Sequence, residues 1–145
     1  MSVAAKLTFF MLVTVWAGII IGVSLIATPV KFQAPSLTMP VGLEVGRYTF
    51  RLLAHVELCF LIAVLIAAGV ARPRPITLLV LGLIAIQMLL QRYWLLPVLD
   101  NRVSQILAGN AVSVSIHHRV YAVMEIAKSA LLITAAVLEF RFQRQ

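Results

Sequence analysis

Four long apolar runs, separated by shorter stretches that are richer in polar residues and proline, dominate the chain. A helix needs about 20 residues to cross the hydrocarbon core of a bilayer, and each run reaches or approaches that length. The runs lack the alternation of polar and apolar residues that is typical of a membrane β-barrel. The pattern predicts an all-α polytopic membrane protein, a single four-helix transmembrane domain over 1–145. Its helices are predicted at about 7–27, 47–71, 76–96 and 115–140.

The connections between these runs differ in length and character. The first, at 28–46, contains three prolines, which argue against one regular helix there. The third, at 97–114, has Val103, Ile106 and Leu107 at helical spacing and predicts a short interfacial helix. The second is the tight "ARPRP" turn at 71–75.

Composition supports the membrane prediction independently of the pattern. The 145 residues are 62% hydrophobic and 12% charged, and the mean hydropathy is +1.03. A soluble domain of this size could not bury so much apolar surface, so lipid must cover it. The single cysteine, Cys59, excludes an intramolecular disulfide.

The net charge of +7 suggests nucleic acid at first, but its distribution argues against such a partner. Basic residues flank the termini and the tight turn, whereas the two longer connections hold only Lys31 and Arg102 clear of the predicted helices. The positive-inside rule then predicts a multi-pass protein of the inner (plasma) membrane with both termini cytoplasmic and the loops 28–46 and 97–114 outside. The basic residues that set this orientation are Lys6, Arg72, Arg74, Arg141 and Arg144.

The two halves of the chain resemble each other at an offset of 68 residues. "RLLAHVE" at 51–57 aligns with "RVYAVME" at 119–125, which superposes Arg51 on Arg119 and Glu57 on Glu125. The same offset matches Pro29 with Pro97, and it gives eight identities over 40 residues. We interpret this as a duplication that produced two helical hairpins, repeated in parallel about an axis along the membrane normal.

Small residues recur every four positions along the first predicted helix, at Thr14, Gly18 and Gly22. Such a stripe allows a neighbouring helix to approach closely. We expect it to mediate packing within the bundle, and the alternative is a homo-oligomer formed through Gly18 and Gly22.

Ionisable residues at membrane depth are costly, so each is a functional candidate. On the fourth segment, His118, Tyr121, Glu125 and Lys128 share one face, and Glu125 and Lys128 are close enough in sequence to form a buried ion pair. Glu57 has no such basic neighbour in its own half, because Phe60 occupies the position equivalent to Lys128. It must pair across helices, bind a cation or ligand, or remain protonated. The predicted ligand-binding set is Arg51, His55, Glu57, Arg119, Tyr121, Glu125 and Lys128.

Metal and haem sites are weaker alternatives. A b-type haem would use His55 and His118, although the 68-residue register puts these two about 7–8 Å apart in depth. Copper would use His55, Cys59 and Met124. The chain has no CxxC, HExxH or nucleotide-binding glycine motif, so no cofactor is predicted.

Three stretches carry a resemblance to a known family: "ATPVKFQAPSL", "GRYTFRLLAHVE" and "HHRVYAVMEIAK". They resemble the transmembrane-protein-205-like group of four-helix membrane proteins over most of the chain. A more remote similarity is to copper-resistance-D-like and protoporphyrinogen-oxidase-like bundles, whose histidine positions this chain does not match. The resemblance implies fold and membrane residence, with no activity to carry over.

Three functional hypotheses follow. The first is a non-enzymatic membrane protein that binds or transports a small molecule, ion or lipid through a polar intramembrane site. The second is a membrane redox protein that uses haem or a quinone. The third is a structural or assembly subunit in which the buried charges only fix helix pairing.

Overall fold

The computed structural model describes residues 3–112 and 115–141, with the side chain of Arg141 excepted. The basic residue Arg144 and positions 113–114 of the predicted connection at 97–114 lie outside these residues. The described chain forms four helices, each long and apolar enough to span a membrane, which confirms the all-α, four-helix prediction. They are α1 (Val3–Lys31), α2 (Met39–Ala71), α3 (Pro75–Leu107) and α4 (His117–Arg141).

The helices extend further than the apolar runs indicate. The connections predicted at 28–46 and 97–114 are largely helical, because α1 continues to Lys31, α2 begins at Met39 and α3 continues to Leu107. With 33 residues each, α2 and α3 are about 50 Å long, against a hydrocarbon core of about 30 Å. In a bilayer, part of each would therefore extend beyond the hydrocarbon core.

The bundle has two distinct ends. We call the end with residues 72–74 the turn end, and the end with residues 32–38, 108–112 and 115–116 the loop end. Helix α1 packs against α2 and α4, α4 packs against α3, and the loop-end part of α3 packs against α2. The result is an up-down-up-down bundle in which α2 and α4 occupy opposite corners.

Two apolar clusters fill the interior. The larger occupies the turn-end half and includes Phe9, Trp16 and Leu132, and the smaller is formed by residues such as Phe50 and Leu95 near the loop end. A layer of buried polar residues separates them. The outer surface is also apolar, with large side chains exposed along every helix, as expected where lipid covers the protein.

Helices α1 and α3 each contain a π-helical stretch, Ile21–Ala27 and Gln91–Leu95. Each stretch ends two residues before a proline, Pro29 or Pro97. Proline has no N–H, and its ring clashes with the carbonyl four residues earlier, so a wider turn relieves the clash. The stretch Gln91–Leu95 lies 68 residues after 23–27, which is the offset of the two sequence halves. The duplication itself stays a prediction.

Close packing holds the connection at 32–38 against α2. A Cβ atom on Gly42 would lie 2.5 Å from Cε1 of Phe32, and one on Gly46 would lie 2.9 Å from Nζ of Lys31. A larger residue at Gly42 would have to displace the Phe32 ring, whereas at Gly46 the flexible end of Lys31 could move aside. The Lys31 ammonium lies 5.0 Å from the centroid of the Phe32 ring, within cation–π distance.

At the turn end, the Glu139 side chain of α4 caps the N-terminus of α3. Its Oε1 accepts hydrogen bonds from the Thr77 hydroxyl at 2.6 Å and from the Arg74 backbone N–H at 3.2 Å. A carboxylate is favourable there because a helix N-terminus carries partial positive charge.

Replacement of Thr77 by valine tests this cap. Thr77 is fully buried, and valine cannot donate its hydrogen bond to the charged Glu139. The unfolding free energy should therefore decrease by about 1.5–3 kcal/mol. The matched control is Thr134→Val, because the exposed Thr134 hydroxyl only donates to Ala130 of its own helix. Thermal unfolding in detergent micelles measures both, and equal effects would show that the Thr77–Glu139 contact contributes nothing.

Candidate functional site

The buried polar layer is centred on three charged side chains, Glu57, Glu125 and Lys128, which we call the Glu–Lys–Glu cluster. The Lys128 ammonium lies 2.6 Å from Glu57 Oε1 and 2.8 Å from Glu125 Oε1. All three residues are buried, and Glu125 and Lys128 are completely so. One lysine therefore serves two carboxylates.

Helix packing explains why these residues meet. Glu125 and Lys128 are three residues apart on α4 and share its inward face, so their expected ion pair is confirmed. Glu57 projects from α2 at the opposite corner of the bundle, and Lys128 reaches it across the bundle axis. Of the three alternatives for Glu57, the structure therefore shows pairing across helices, because the four-carbon side chain of Lys128 spans the interior.

Neutral residues from the other two helices complete the cluster. Gln91 of α3 donates to Glu125 Oε1 at 2.7 Å and accepts from Lys128 at 2.8 Å, and Ser24 of α1 donates to Glu125 Oε2 at 2.8 Å. Trp16, also on α1, donates to Glu57 Oε1 at 3.4 Å. Ser24 lies in the first π-helical stretch, and Gln91 begins the second. The π turns thus supply polar groups at the depth of the charges.

The hydrogen bonds are unevenly distributed. Lys128 uses all three of its N–H donors, on Glu57, Glu125 and Gln91. Both oxygens of Glu125 accept hydrogen bonds. For Glu57, the bonds within the described part of the chain all go to Oε1. Glu57 is therefore the less saturated carboxylate.

The cluster carries an odd number of charges. With every group ionised, two carboxylates and one ammonium sum to −1, and the side chains of α1 and α3 that hydrogen-bond to the carboxylates are neutral. Other titratable groups line the two cavities beside the cluster: Tyr121 lines both, Arg92 of α3 lines the one beside Glu57, and His118 lines the one beside Glu125. An uncompensated charge in a low-dielectric interior is unfavourable. One added proton or monovalent cation would bring the sum to zero.

Cavities reach the cluster from two directions. One of about 240 Å³ is lined by Ser24, Tyr121 and Glu125 and extends towards the loop end. Another of about 130 Å³ lies between α2 and α3 and is lined by Glu57 and Gln91. Each carboxylate therefore borders its own cavity.

A third cavity of about 290 Å³ lies at the loop end, and we call it the vestibule. It shares Phe32, Phe50 and His118 with the 240 Å³ cavity, so the two are adjacent. Arg47 and Asp100 also line it. A small molecule could therefore approach Glu125 from the loop end through adjacent cavities.

Asp100 of α3 links two arginines of α2 at this end. Arg51 donates to Asp100 Oδ2 from Nε at 2.8 Å and from Nη2 at 2.5 Å. Arg47 donates from Nη2 to the Asp100 carbonyl and to Ser104 Oγ, both at 2.6 Å. These contacts join the parts of α2 and α3 that continue beyond the apolar runs.

The seven residues predicted to bind a ligand divide into two groups. Glu57, Tyr121, Glu125 and Lys128 lie together in the interior, whereas Arg51, His55 and Arg119 are exposed. Arg51 pairs with Asp100, and His55 Nδ1 lies 2.7 Å from the Arg51 carbonyl. The inward face of α2 carries Glu57, and the face with Arg51 and His55 points away from it.

The proposed haem and copper ligands are also separated. His55 and Cys59 are exposed on α2, while His118 lines the vestibule and Met124 packs against the loop-end apolar cluster. Among the residues that the structure describes, no three His, Cys, Asp or Glu side chains are grouped to hold a metal ion. The described geometry therefore supplies no assembled ligand set for either group.

The small-residue stripe of α1 also differs from expectation. A Cβ atom on Gly18 or Gly22 would meet nothing within 4 Å among the described residues. No neighbouring helix uses the stripe, and Thr14 is exposed. The predicted packing within the bundle is not observed, and contact between copies stays a prediction.

Several residues of the site were not predicted. Trp16 and Ser24 lie within one apolar run and Gln91 lies at the end of another, so the sequence pattern does not single them out. A glutamine that bonds two opposite charges needs both a donor and an acceptor, which its amide provides. The available signal was the depth of Gln91, which resembles that of the acids.

Comparison of the chain with protein-family models, curated proteins and solved structures gives no match.

Proposed function

We propose that this protein binds a small molecule within its membrane-spanning bundle and that binding is coupled to the protonation of the Glu–Lys–Glu cluster. The observation that carries the proposal is the sharing of Lys128 between two buried carboxylates, each of which borders a cavity. A purely structural ion pair needs one acid. The second acid gives the cluster a site for a proton or a monovalent cation.

The coupling follows from charge balance. A molecule that enters the 240 Å³ cavity meets Glu125 and Ser24. Its charge changes the free-energy cost of burying the formal charge of −1 on the Glu–Lys–Glu cluster. A positively charged or hydrogen-bond-donating ligand would take the place of the proton, whereas a negatively charged one would require it. A ligand that brings a charge or a hydrogen-bonding group to Glu125 therefore links occupancy to protonation.

We propose that the protein resides in the plasma (inner) membrane with its turn end in the cytoplasm. Lys6, Arg72 and Arg74 support this orientation. Because α2 is long, Arg47 and Arg51 lie at the loop end. The difference in positive charge between the two ends is therefore smaller than the sequence indicates. A C-terminal reporter tests the assignment, since activity only on the external side would reverse it.

We also propose that the two halves arose by duplication. The support is the matched position of the π turns and of Glu57 and Glu125, which approach the same lysine. Lys128 has no counterpart in the first half, where Phe60 stands. One shared base for two repeated acids is what a divergent duplication would leave.

The decisive experiment for binding obstructs the cavity beside Glu125. Ala122 lines the 240 Å³ cavity, and Ala127 is exposed on the same helix. Native mass spectrometry of protein from its own membranes should detect a bound molecule in the wild type and in Ala127→Phe, and its loss in Ala122→Phe. A wild type that carries nothing, or equal occupancy in both variants, would refute the binding proposal and favour a structural role.

A further inference from the structure

The vestibule is an apolar chamber with basic residues in its lining. Its apolar wall combines aromatic side chains from the connection and α2 with aliphatic side chains of α3. The residues that form it are Phe32, Leu43, Phe50, Leu96, Leu99 and Ile106. A chamber of about 290 Å³ with few polar groups suits the hydrocarbon part of a small ligand.

The charges that line the vestibule are unbalanced. Lys31, Arg47 and Arg102 contribute three positive charges and Asp100 one negative charge, which leaves +2 before His118 is counted. Glu44 lies on the same part of α2 but is not among the lining residues. The chamber therefore has a net positive lining.

Two of these cations have unused binding capacity. Among the described residues, no carboxylate lies within 4 Å of the Lys31 ammonium, which lies over the Phe32 ring. The Arg47 side chain is 14% exposed, and its buried Nε has no hydrogen-bond partner. Asp100 cannot fully satisfy it, because Oδ1 is 3.8 Å from Arg47 Nε and Oδ2 is bound to Arg51. A buried donor of this kind favours an acceptor from a ligand.

The vestibule lies near the membrane boundary. Counted about 20 residues from the turn end, the hydrocarbon core ends near Leu52 on α2 and Leu95 on α3. Arg47 lies beyond that level, and the adjacent 240 Å³ cavity descends below it to Glu125. A polar head would thus rest where the cations are, and a chain would lie at the depth of lipid tails.

We propose that the vestibule binds a single-chain amphiphile with an anionic head, with the head between Lys31 and Arg47 and the chain along Phe32 and Phe50 towards Glu125. The inference rests on the proposed function, for which it names the ligand class. Carboxylate and phosphate heads share the required chemistry, since both present oxygens to a guanidinium and an ammonium.

The test is equilibrium binding of radiolabelled palmitate to the full-length protein in a neutral detergent. Dodecyl phosphate is the competitor with a phosphate head. Three further probes each change one property of palmitate: the methyl ester lacks the charge, hexadecyltrimethylammonium reverses it, and acetate lacks the chain. We expect saturable binding of one palmitate per chain, and comparison of the concentrations of unlabelled dodecanoate and dodecyl phosphate that displace it identifies the preferred head. The three modified probes should bind at least about tenfold more weakly.

Variants locate the head. Lys31→Met keeps much of the side-chain volume and should weaken palmitate binding about tenfold, whereas Lys6→Met at the turn end should leave it unchanged. Val103→Trp, which fills the vestibule, should abolish binding, and the exposed Leu107→Trp on the same helix should not. Equal binding of the methyl ester and palmitate, or wild-type affinity in Lys31→Met, would overturn the proposal.

The outcomes also separate this inference from the function on which it rests. If no anionic probe binds but the native protein carries a molecule that Ala122→Phe excludes, the ligand class is wrong and the binding function stands. If neither is observed, both fail.

Discussion

Replacement of Lys128 by methionine is expected to destabilise the protein more than any other single substitution in the bundle. The change leaves Glu57 and Glu125 buried without a countercharge, and it removes three hydrogen bonds. Breaking a buried ion pair in this way typically costs about 3–5 kcal/mol. Thermal unfolding in micelles and the amount of folded protein in membranes both measure the effect.

A compensated variant shows whether charge is the cause. In Glu57→Gln/Glu125→Gln/Lys128→Met all three groups are neutral, and the two amides can hydrogen-bond to one another or to Gln91. This variant should recover much of the stability lost by Lys128→Met, because neutral groups avoid the penalty of buried unpaired charge. Equal instability of the single and triple variants would point to lost packing instead. Lys6→Met serves as the surface control, with an expected change within about 0.5 kcal/mol.

Glu57→Gln has the second large expected effect, on protonation rather than on stability. It leaves one carboxylate and one ammonium, whose charges cancel, and it disturbs the less saturated acid. The wild type should take up one proton at the cluster as pH is lowered, visible as the infrared band of a protonated carboxyl group. In Glu57→Gln that band should be absent, while the fold is retained.

Glu125→Gln is the informative counterpart. Glu125 accepts hydrogen bonds from Ser24, Gln91 and Lys128, and an amide nitrogen in its place would face donors. We expect this variant to unfold at a lower temperature than Glu57→Gln, although both remove one negative charge. If the wild type takes up no proton, or if the two variants behave alike, the division into a proton-binding and a structural acid is incorrect.

The number and approximate location of the helices could be predicted because apolar run length depends on local sequence alone. Their ends could not. Pro40 looked like a helix breaker, but it occupies the first turn of α2, where a missing N–H costs nothing. Pro97 is accommodated within α3 by the π turn before it. Proline spacing does not reveal which of these solutions the chain adopts.

The candidate site was predictable to the level of a helix face. Glu125 and Lys128 are neighbours on one helix, so their pairing follows from spacing. The contact between Glu57 and Lys128 joins residues 71 positions apart, and it depends on which helices share the bundle axis. His55 shows the same limit, because two residues of separation put it on a different face of α2 from Glu57 without indicating which of the two faces inward.

The π turns have a mechanical consequence. Each contains one residue more than an α-helical turn. If this extra residue moved to another position along the helix, the segment between the old and new positions would rotate by about 100° and shift by about 1.5 Å, and the helix would stay intact. Rotation of this kind at Gln91–Leu95 would swing Asp100 relative to Arg47 while leaving the turn-end half of α3 in place. Because Ser24 lies in one π turn and Gln91 begins the other, a register shift at either turn would alter a hydrogen bond to Glu125.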